Sequence, residues 1–160
     1  EMADELGIEK ISDLKEHAPN MTLGSDFDFL EREDGIDNFN QLYSLTWKDN
    51  TGMDAGLMYG AIREGQLEAI VAYATDGRIP RFDLKILEDD LAFFPPYFGA
   101  VVVNNDTLEK HPEIAALIEE LAPHLSMEKM AELNSRVDID NELEANVARD
   151  FLEEAGLLNK

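Results

Sequence analysis

Two tyrosines are the first candidates for ligand binding in this chain, because one precedes a polar turn and the other follows a pair of prolines. Tyr73 and the polar turn Thr75–Arg78 come at the end of the apolar run Leu67–Ala74. Ligands of open α/β sheets bind at the carboxyl ends of strands, which makes this a plausible place for a site. Tyr97 closes Phe93–Tyr97, in which two prolines exclude a helix or a central strand. An isolated tyrosine is more often a core residue, so these positions alone indicate no particular ligand.

The sequence contains no catalytic or metal-binding motif that we recognise. It has no cysteine, and its three histidines lie far apart. Neither H-E-x-x-H, G-x-S-x-G nor a Gly-rich phosphate loop occurs. The acidic clusters, which include Glu88–Asp90, do not match the EF-hand calcium loop, and we interpret them as solvated surface. We therefore predict no catalytic residue, no metal and no cofactor, and an enzyme is the least favoured hypothesis.

The charge of the chain excludes two classes of partner. Its 160 residues carry 13 Lys and Arg against 35 Asp and Glu, for a formal net charge of −22. Nucleic acids are bound mainly through Lys and Arg that neutralise phosphates, so we expect no nucleic-acid partner. A basic patch that docks on an anionic membrane is excluded for the same reason. No apolar stretch approaches the ~20 residues that span a bilayer.

Apolar runs alternate with capped amphipathic segments, which predicts an α/β fold. Helices are expected to begin at Ser25 or Asp26, at Met53-Asp54, after Pro112 and at Ser126. Asp49–Gly52 has the composition of a turn. The composition changes after Asp90, which indicates a boundary near residues 91–98. The predicted strands are Met21–Gly24, Leu45–Lys48, Leu67–Ala74, Phe82–Leu87 and Gly99–Val103.

Several segments, in order along nearly the whole chain, resemble the substrate-binding proteins of glycine betaine/carnitine/choline ABC transporters. The most distinctive are Phe29–Gly35, Ala72–Ile79, Leu87–Asp90, Phe93–Tyr97 and Asp106–Glu113. The resemblance implies an α/β, periplasmic-binding-protein-like fold of type II, also called a Venus flytrap. In that fold the ligand lies in a cleft, and the two lobes close around it.

The resemblance also implies a ligand site. By motif position, Tyr73 and Tyr97 match walls of an aromatic cage around a quaternary ammonium, and Arg32 matches the anchor of a ligand carboxylate. A quaternary ammonium has no N–H to donate, so ring faces hold it instead. The planar arginine fork suits a carboxylate. We interpret Thr75 and Asp76 as supporting positions that fix the turn after Tyr73.

In the resemblance, residues 1–92 correspond to the second lobe and residues 93–160 to the crossover and the C-terminal part of the first lobe. A complete family member begins well before this start. The chain starts with Glu1 and has no signal peptide, so we expect an excised or partial piece that binds ligand weakly or not at all. The strand Gly99–Val103 would then lack its first-lobe partners. We expect the later segments to be partly exposed, swapped between chains or packed in a homodimer.

The leading hypothesis is an extracytoplasmic substrate-binding component of an ABC importer for quaternary ammonium osmoprotectants. Its ligands would be glycine betaine, choline, carnitine or proline betaine, and its protein partner would be the permease subunit. It would be periplasmic, a cell-surface lipoprotein or a permease-fused domain. Two alternatives stay open: a receptor for another betaine such as ergothioneine, and an interaction or assembly module of the same fold that binds no ligand.

Overall fold

The computed structural model describes residues 1–158 and divides the chain into two compact units. Unit 1 consists of Glu1–Ala74 and Ile79–Pro95. Unit 2 consists of Thr75–Arg78 and the chain from Pro96 onwards. The chain therefore passes between the units after Ala74, after Arg78 and after Pro95. The assignment of residues 1–92 and 93–160 to lobes of a longer protein stays a prediction.

Unit 1 is built on a small parallel sheet with the strand order β2-β1-β3. Strand β1 is Thr22–Ser25, β2 is Asp49–Gly52 and β3 is Ala69–Ile70. Leu23 of the central strand pairs with both neighbouring strands. Parallel neighbours need crossover connections, and helices of unit 1 provide them between successive strands. The predicted mixed α/β class is confirmed.

The predicted positions of β1 and β2 have different outcomes. Met21–Gly24 is confirmed as a strand, shifted by one residue. Leu45–Lys48 is not a strand, and Asp49–Gly52, predicted as a turn, is β2. The Lys48 N–H donates to the carbonyls of Ala18 and Met21 instead of to a neighbouring strand. Since β2 pairs only with β1, it is an edge strand and tolerates polar residues.

The other three predicted strands are shorter or absent. Within Leu67–Ala74 only Ala69–Ile70 pairs in the sheet. Phe82–Leu87 forms no strand, and the adjacent Glu88 makes an isolated bridge with Lys10. Gly99–Val103 is also irregular in the described part of the chain. An apolar run forms a strand only where a neighbouring segment pairs with its backbone N–H and C=O groups, and Val101 and Val102 are exposed rather than buried.

The helices follow local sequence signals more closely. Asp26 accepts from the N–H of Phe29 at 2.7 Å, and Ser126 accepts from the N–H of Lys129 at 3.1 Å, so both predicted caps are confirmed. The helices are α1 Met2–Glu5, α2 Phe27–Glu31, α3 Ile36–Tyr43, α4 Ala55–Arg63, α5 Arg78–Arg81, α6 Asn105–Lys110, α7 Glu113–Leu121, α8 Met127–Asp138 and α9 Glu144–Glu154, with 3-10 turns at Ile11–Glu16, Ala18–Asn20 and Ala122–His124. No helix within residues 1–158 has the length and apolar character to cross a membrane.

A continuous apolar core fills unit 1. It joins the 3-10 turn at Ile11–Glu16, strand β1 and helices α2 and α3. Phe93 and Phe94 pack on this core and form ring contacts with Phe29 and Phe39, with centroids 5.2 to 6.5 Å apart. Aromatic pairs at such distances stabilise beyond their buried area. The segment that leads out of unit 1 is therefore fastened to its core.

Candidate functional site

Arg32 lies at the C-terminal end of α2, where its backbone N–H donates to the Asp28 carbonyl at 2.9 Å. Its guanidinium makes two hydrogen bonds to the Asp34 carboxylate, from Nε at 2.8 Å and from Nη2 at 3.0 Å. These bonds hold the pKa of Asp34 below its ordinary value. The Arg32 side chain is 45% exposed and that of Asp34 is 75% exposed. The arginine fork is thus within reach of solvent and already holds one carboxylate.

Gly35 fixes the turn that brings Arg32 and Asp34 together. Its N–H donates to the Arg32 carbonyl at 3.0 Å. A side chain at this position would overlap the backbone carbonyl of Phe29. Only glycine permits so close an approach of two backbone segments. The turn between α2 and α3 therefore requires glycine at position 35.

The two predicted cage tyrosines are exposed. Tyr73 follows β3 and is 67% exposed, and Tyr97 is 59% exposed. Tyr43 and Tyr59, in contrast, are buried in unit 1. Tyr73 and Tyr97 are therefore not core residues, which was the main alternative interpretation of each. Their ring surfaces are accessible to a ligand.

The turn after Tyr73 is held by polar bonds within unit 2. The Asp76 carboxylate accepts from the backbone N–H of Arg78 and from its Nε and Nη2, each at 2.9 Å. The Thr75 carbonyl accepts from the Asn134 side-chain amide at 2.8 Å. Asp76 therefore shapes the turn, and Asn134 fastens it to helix α8.

Gly77 is the close-contact point of this turn. A side chain at residue 77 would overlap the backbone of Ser135 and lie 2.9 Å from the carbonyl carbon of Asn134. The turn can lie against α8 only because residue 77 has no side chain. Besides the local hydrogen bonds of Asp76, the turn is anchored to a helix more than fifty residues further along the chain.

Sequence reasoning assigned no role to Tyr43 and missed a cluster around Asp89. The Asp89 carboxylate accepts from the Tyr43 hydroxyl and from the N–H groups of Phe93 and Phe94, at 3.0 and 2.8 Å. The Tyr43 hydroxyl accepts from the Leu91 N–H at 3.0 Å. Burial first, and then the bond to Asp89, raise the pKa of Tyr43 to about 12. We call this arrangement the Asp89 latch.

The neighbouring Asp90 is also a structural residue. It accepts from the Ser12 hydroxyl at 2.6 Å and from the Ser12 N–H at 3.2 Å, and Lys10 lies 3.6 Å away. The hydrogen bond from the Ser12 hydroxyl lowers the pKa of Asp90. The interpretation of Glu88–Asp90 as solvated surface is therefore wrong for Asp89 and Asp90. With 35 Asp and Glu in the chain, composition does not distinguish these two carboxylates from the solvated ones.

The predicted site residues are divided between the units. Arg32 and Tyr73 belong to unit 1, and Tyr97 belongs to unit 2. Each is described within its own unit, so a site shared by the three stays a prediction. Among residues 1–158, no group of three or more histidine, aspartate and glutamate side chains is arranged to hold a metal ion.

Comparison with known proteins decides the family. Residues 1–154 match the family described as the substrate binding domain of the ABC-type glycine betaine transport system. The chain belongs to this family. The family is a transport substrate-binding family and not an enzyme family.

Two curated relatives and one solved structure show how far the similarity extends. The glycine-betaine-binding protein of Pseudomonas aeruginosa is 39% identical over 99% of this chain and 55% of its own length. The ergothioneine transport permease/ergothioneine binding protein EgtU of Helicobacter pylori is 35% identical over 98% of this chain and 28% of its own length. A solved glycine betaine/carnitine/choline ABC transporter structure matches with a TM-score of 0.89 and 35% identity, over 97% of this chain and 57% of that chain.

These matches confirm the periplasmic-binding-protein-like fold class that the resemblance predicted. The chain spans about half the length of the Pseudomonas relative and of the solved structure, and less of the Helicobacter protein.

Proposed function

We propose that this chain is part of the extracytoplasmic substrate-binding component of an ABC importer, and that it binds quaternary ammonium osmoprotectants, although weakly because it spans about half the length of its relatives. The observation that carries the proposal is the family match over residues 1–154. Relatives are named for glycine betaine and ergothioneine, and the matched structure is named for glycine betaine, carnitine and choline. The protein partner in this proposal is the permease subunit of the importer, and the binding component itself carries out no reaction.

The exposed tyrosines support the binding chemistry. A trimethylammonium group keeps its positive charge at every pH and has no N–H to donate, so it is stabilised by the faces of aromatic rings at ~0.5–2 kcal/mol per ring. Tyr73 and Tyr97 offer accessible rings. We propose that they contribute two walls of an aromatic cage, with Thr75 and Asp76 as supporting residues of the turn that follows Tyr73.

Arg32 distinguishes candidate ligands that carry a carboxylate from those that carry none. Glycine betaine, carnitine, proline betaine and ergothioneine carry a carboxylate, and choline carries none. A two-donor arginine fork binds a carboxylate strongly and in a defined orientation. We propose that the Arg32 guanidinium, which holds a carboxylate in this structure, anchors the carboxylate of a betaine. This favours betaines over choline and keeps ergothioneine as the second candidate.

The physiological role follows from two states of the binding component. Binding shifts the population from an open to a closed form, and the closed form presents the ligand to the permease. The component would act in the periplasm, as a cell-surface lipoprotein or as a permease-fused domain.

Exposed apolar residues in unit 2 support the rival proposal of an assembly module. Phe98 is 87% exposed and Val102 is 94% exposed, next to Val101. Contiguous exposed apolar surface often marks a protein interface, so a domain-swapped or packed homodimer is the form this proposal predicts. Light scattering tests it, and a monomer over a wide concentration range would contradict the dimer.

The binding proposal is tested by calorimetry with glycine betaine and with choline. Arg32→Ala should weaken glycine betaine by about tenfold or more, because hydrogen bonds to charged groups contribute ~1.5–3 kcal/mol, and should leave choline nearly unchanged. The control is Arg149→Ala, which removes an exposed arginine of α9. Betaine affinity that is unchanged in Arg32→Ala would overturn the anchor role, and absence of binding in the unaltered chain would overturn the proposed function for this chain.

A further inference from the structure

The Arg32–Asp34 pair has the geometry of a bound ligand carboxylate. Both Asp34 oxygens are used, one by Nε and one by Nη2 of the same guanidinium, at 2.8 and 3.0 Å. A carboxylate bound through two parallel N–H···O bonds occupies one edge of the arginine fork completely. A ligand carboxylate that approaches this edge must therefore displace Asp34.

The position of Asp34 is set by the backbone on both sides. On one side α2 ends with the Arg32 N–H bonded to the Asp28 carbonyl. On the other side Gly35 packs against the backbone, and the Asn38 side-chain amide donates to the Glu33 carbonyl at 2.7 Å. The turn thus holds Asp34 within reach of Arg32. The Asp34 carboxylate therefore competes with a ligand carboxylate for the Arg32 guanidinium.

The competition is weak enough for a ligand to win. Both side chains are substantially exposed, and exposed ion pairs of this kind shift an equilibrium by only about 1.4- to 5-fold. A ligand that also gains ring contacts can therefore displace Asp34. The displacement still lowers its affinity by a factor of this size relative to a site without Asp34.

We propose that Asp34 is a specificity-determining residue that weakens zwitterionic betaines relative to the cation choline. The inference rests on the proposed function, since it assigns Arg32 to the ligand carboxylate. A betaine that binds at the Nε–Nη2 edge of Arg32 must displace Asp34, whereas choline leaves the pair intact. The Asp34 carboxylate that stays near the site also favours a ligand with net positive charge.

The test compares the affinities of glycine betaine and choline by calorimetry in the unaltered chain, in Asp34→Asn and in Glu33→Gln. Asp34→Asn should tighten glycine betaine by about 1.4- to 5-fold relative to choline. Glu33→Gln removes the same charge from the neighbouring exposed residue and should leave the ratio unchanged. An unchanged ratio in Asp34→Asn, or an equal shift in Glu33→Gln, would overturn the inference.

A second measurement separates this inference from the proposed function. Acetate is titrated while the Arg32 Nε–H resonance is followed by NMR, and no quaternary ammonium is present. Asp34→Asn should lower the acetate concentration needed to shift that resonance, and Glu33→Gln should not. If neither betaine nor choline binds but acetate behaves in this way, the proposed function fails and the competition for Arg32 stands. If acetate acts equally on all three proteins, the competition itself is refuted.

Discussion

Unit 1 and unit 2 are stabilised in different ways. In the described part of the chain, the buried apolar side chains of unit 2 are Ala131, Val147 and Phe151, whereas unit 1 holds all the others. Unit 2 instead has a polar network in which Arg136 bonds to Glu142 and Asp150 at 2.6 to 2.8 Å. This network is partly exposed, and ion pairs contribute less to folding than an extended apolar core, so the core of unit 1 should supply most of the stability.

A groove between helices of unit 2 also indicates that unit 2 is less closely packed than unit 1. It has a volume of about 430 Å³ and is lined by residues of α7, α8 and α9, among them Leu133, Val137 and Phe151. The groove is open to solvent, so its apolar lining is partly in contact with water. Local opening should therefore be easier in unit 2 than in unit 1.

The largest effect is expected for Phe39→Ala in unit 1. Phe39 contacts the rings of Phe29, Tyr43, Phe93 and Phe94, and truncation of a buried phenylalanine costs ~3–5 kcal/mol. The matched change in unit 2 is Phe151→Ala, which should cost less because Phe151 borders the groove. Urea unfolding measures both free energies, and an equal cost would remove the contrast between the units.

Gly77→Ala should disturb the turn that lies on α8. The added methyl overlaps the backbone of Ser135, and overpacking of this kind costs ~1–3 kcal/mol. Gly60→Ala in α4 is the control, because a side chain there meets nothing within 4 Å and alanine favours a helix by ~0.5–1 kcal/mol. Thermal unfolding should show the two changes with opposite signs, and the same sign for both would contradict the close packing of Gly77.

Asp89→Ala should loosen the segment that leaves unit 1. It removes the acceptor of the Tyr43 hydroxyl and of the Phe93 and Phe94 N–H groups, and unsatisfied buried groups cost ~1–3 kcal/mol. Hydrogen exchange at Phe93 and Phe94 should accelerate. Asp140→Ala, at an exposed position of unit 2, should leave that exchange unchanged, and unaltered exchange in Asp89→Ala would refute the latch.

The Asp89 latch also predicts a smaller dependence on pH. The pKa of Tyr43 is raised from 10.0 to about 12, so the folded state holds this proton more tightly than the unfolded state. The stabilisation of the folded state by this proton is complete below about pH 10, and it is lost as the pH rises through about 12. Ultraviolet titration should show a late phenol step near pH 12 that is lost in Tyr43→Phe. A protein whose tyrosines all ionise near pH 10 would not contain the latch.

Local signals in the sequence predicted local structure well. The caps Asp26 and Ser126 were predictable because each binds an N–H three residues away. Pairing is not local: Leu45–Lys48 is more apolar than Asp49–Gly52, yet only the latter meets β1. The sequence did not reveal which run would pair with a neighbouring strand, nor that Val101 and Val102 of the run Gly99–Val103 would be exposed.

In the candidate site, too, contacts between residues far apart in the chain could not be predicted from the sequence. Arg32, Tyr73 and Tyr97 were found through a family resemblance, since spacing alone indicated no ligand. The partners that fix the surrounding turns lie far along the chain, as with Asn134 for Thr75 and Tyr43 for Asp89. Composition gives no information about such pairs, because abundant acidic residues conceal the few that accept buried hydrogen bonds.

The proposed recognition of a permanent cation by aromatic rings of this chain can be measured with one pair of ligands. Glycine betaine and 3,3-dimethylbutanoate have the same shape and carboxylate, but a neutral carbon replaces the ammonium nitrogen in the second. Calorimetry should show glycine betaine bound about fivefold or more tightly, from ~1 kcal/mol or more of ring–cation attraction, and Tyr73→Leu should reduce that ratio. Equal affinities for the two ligands, or no binding of either, would contradict the account.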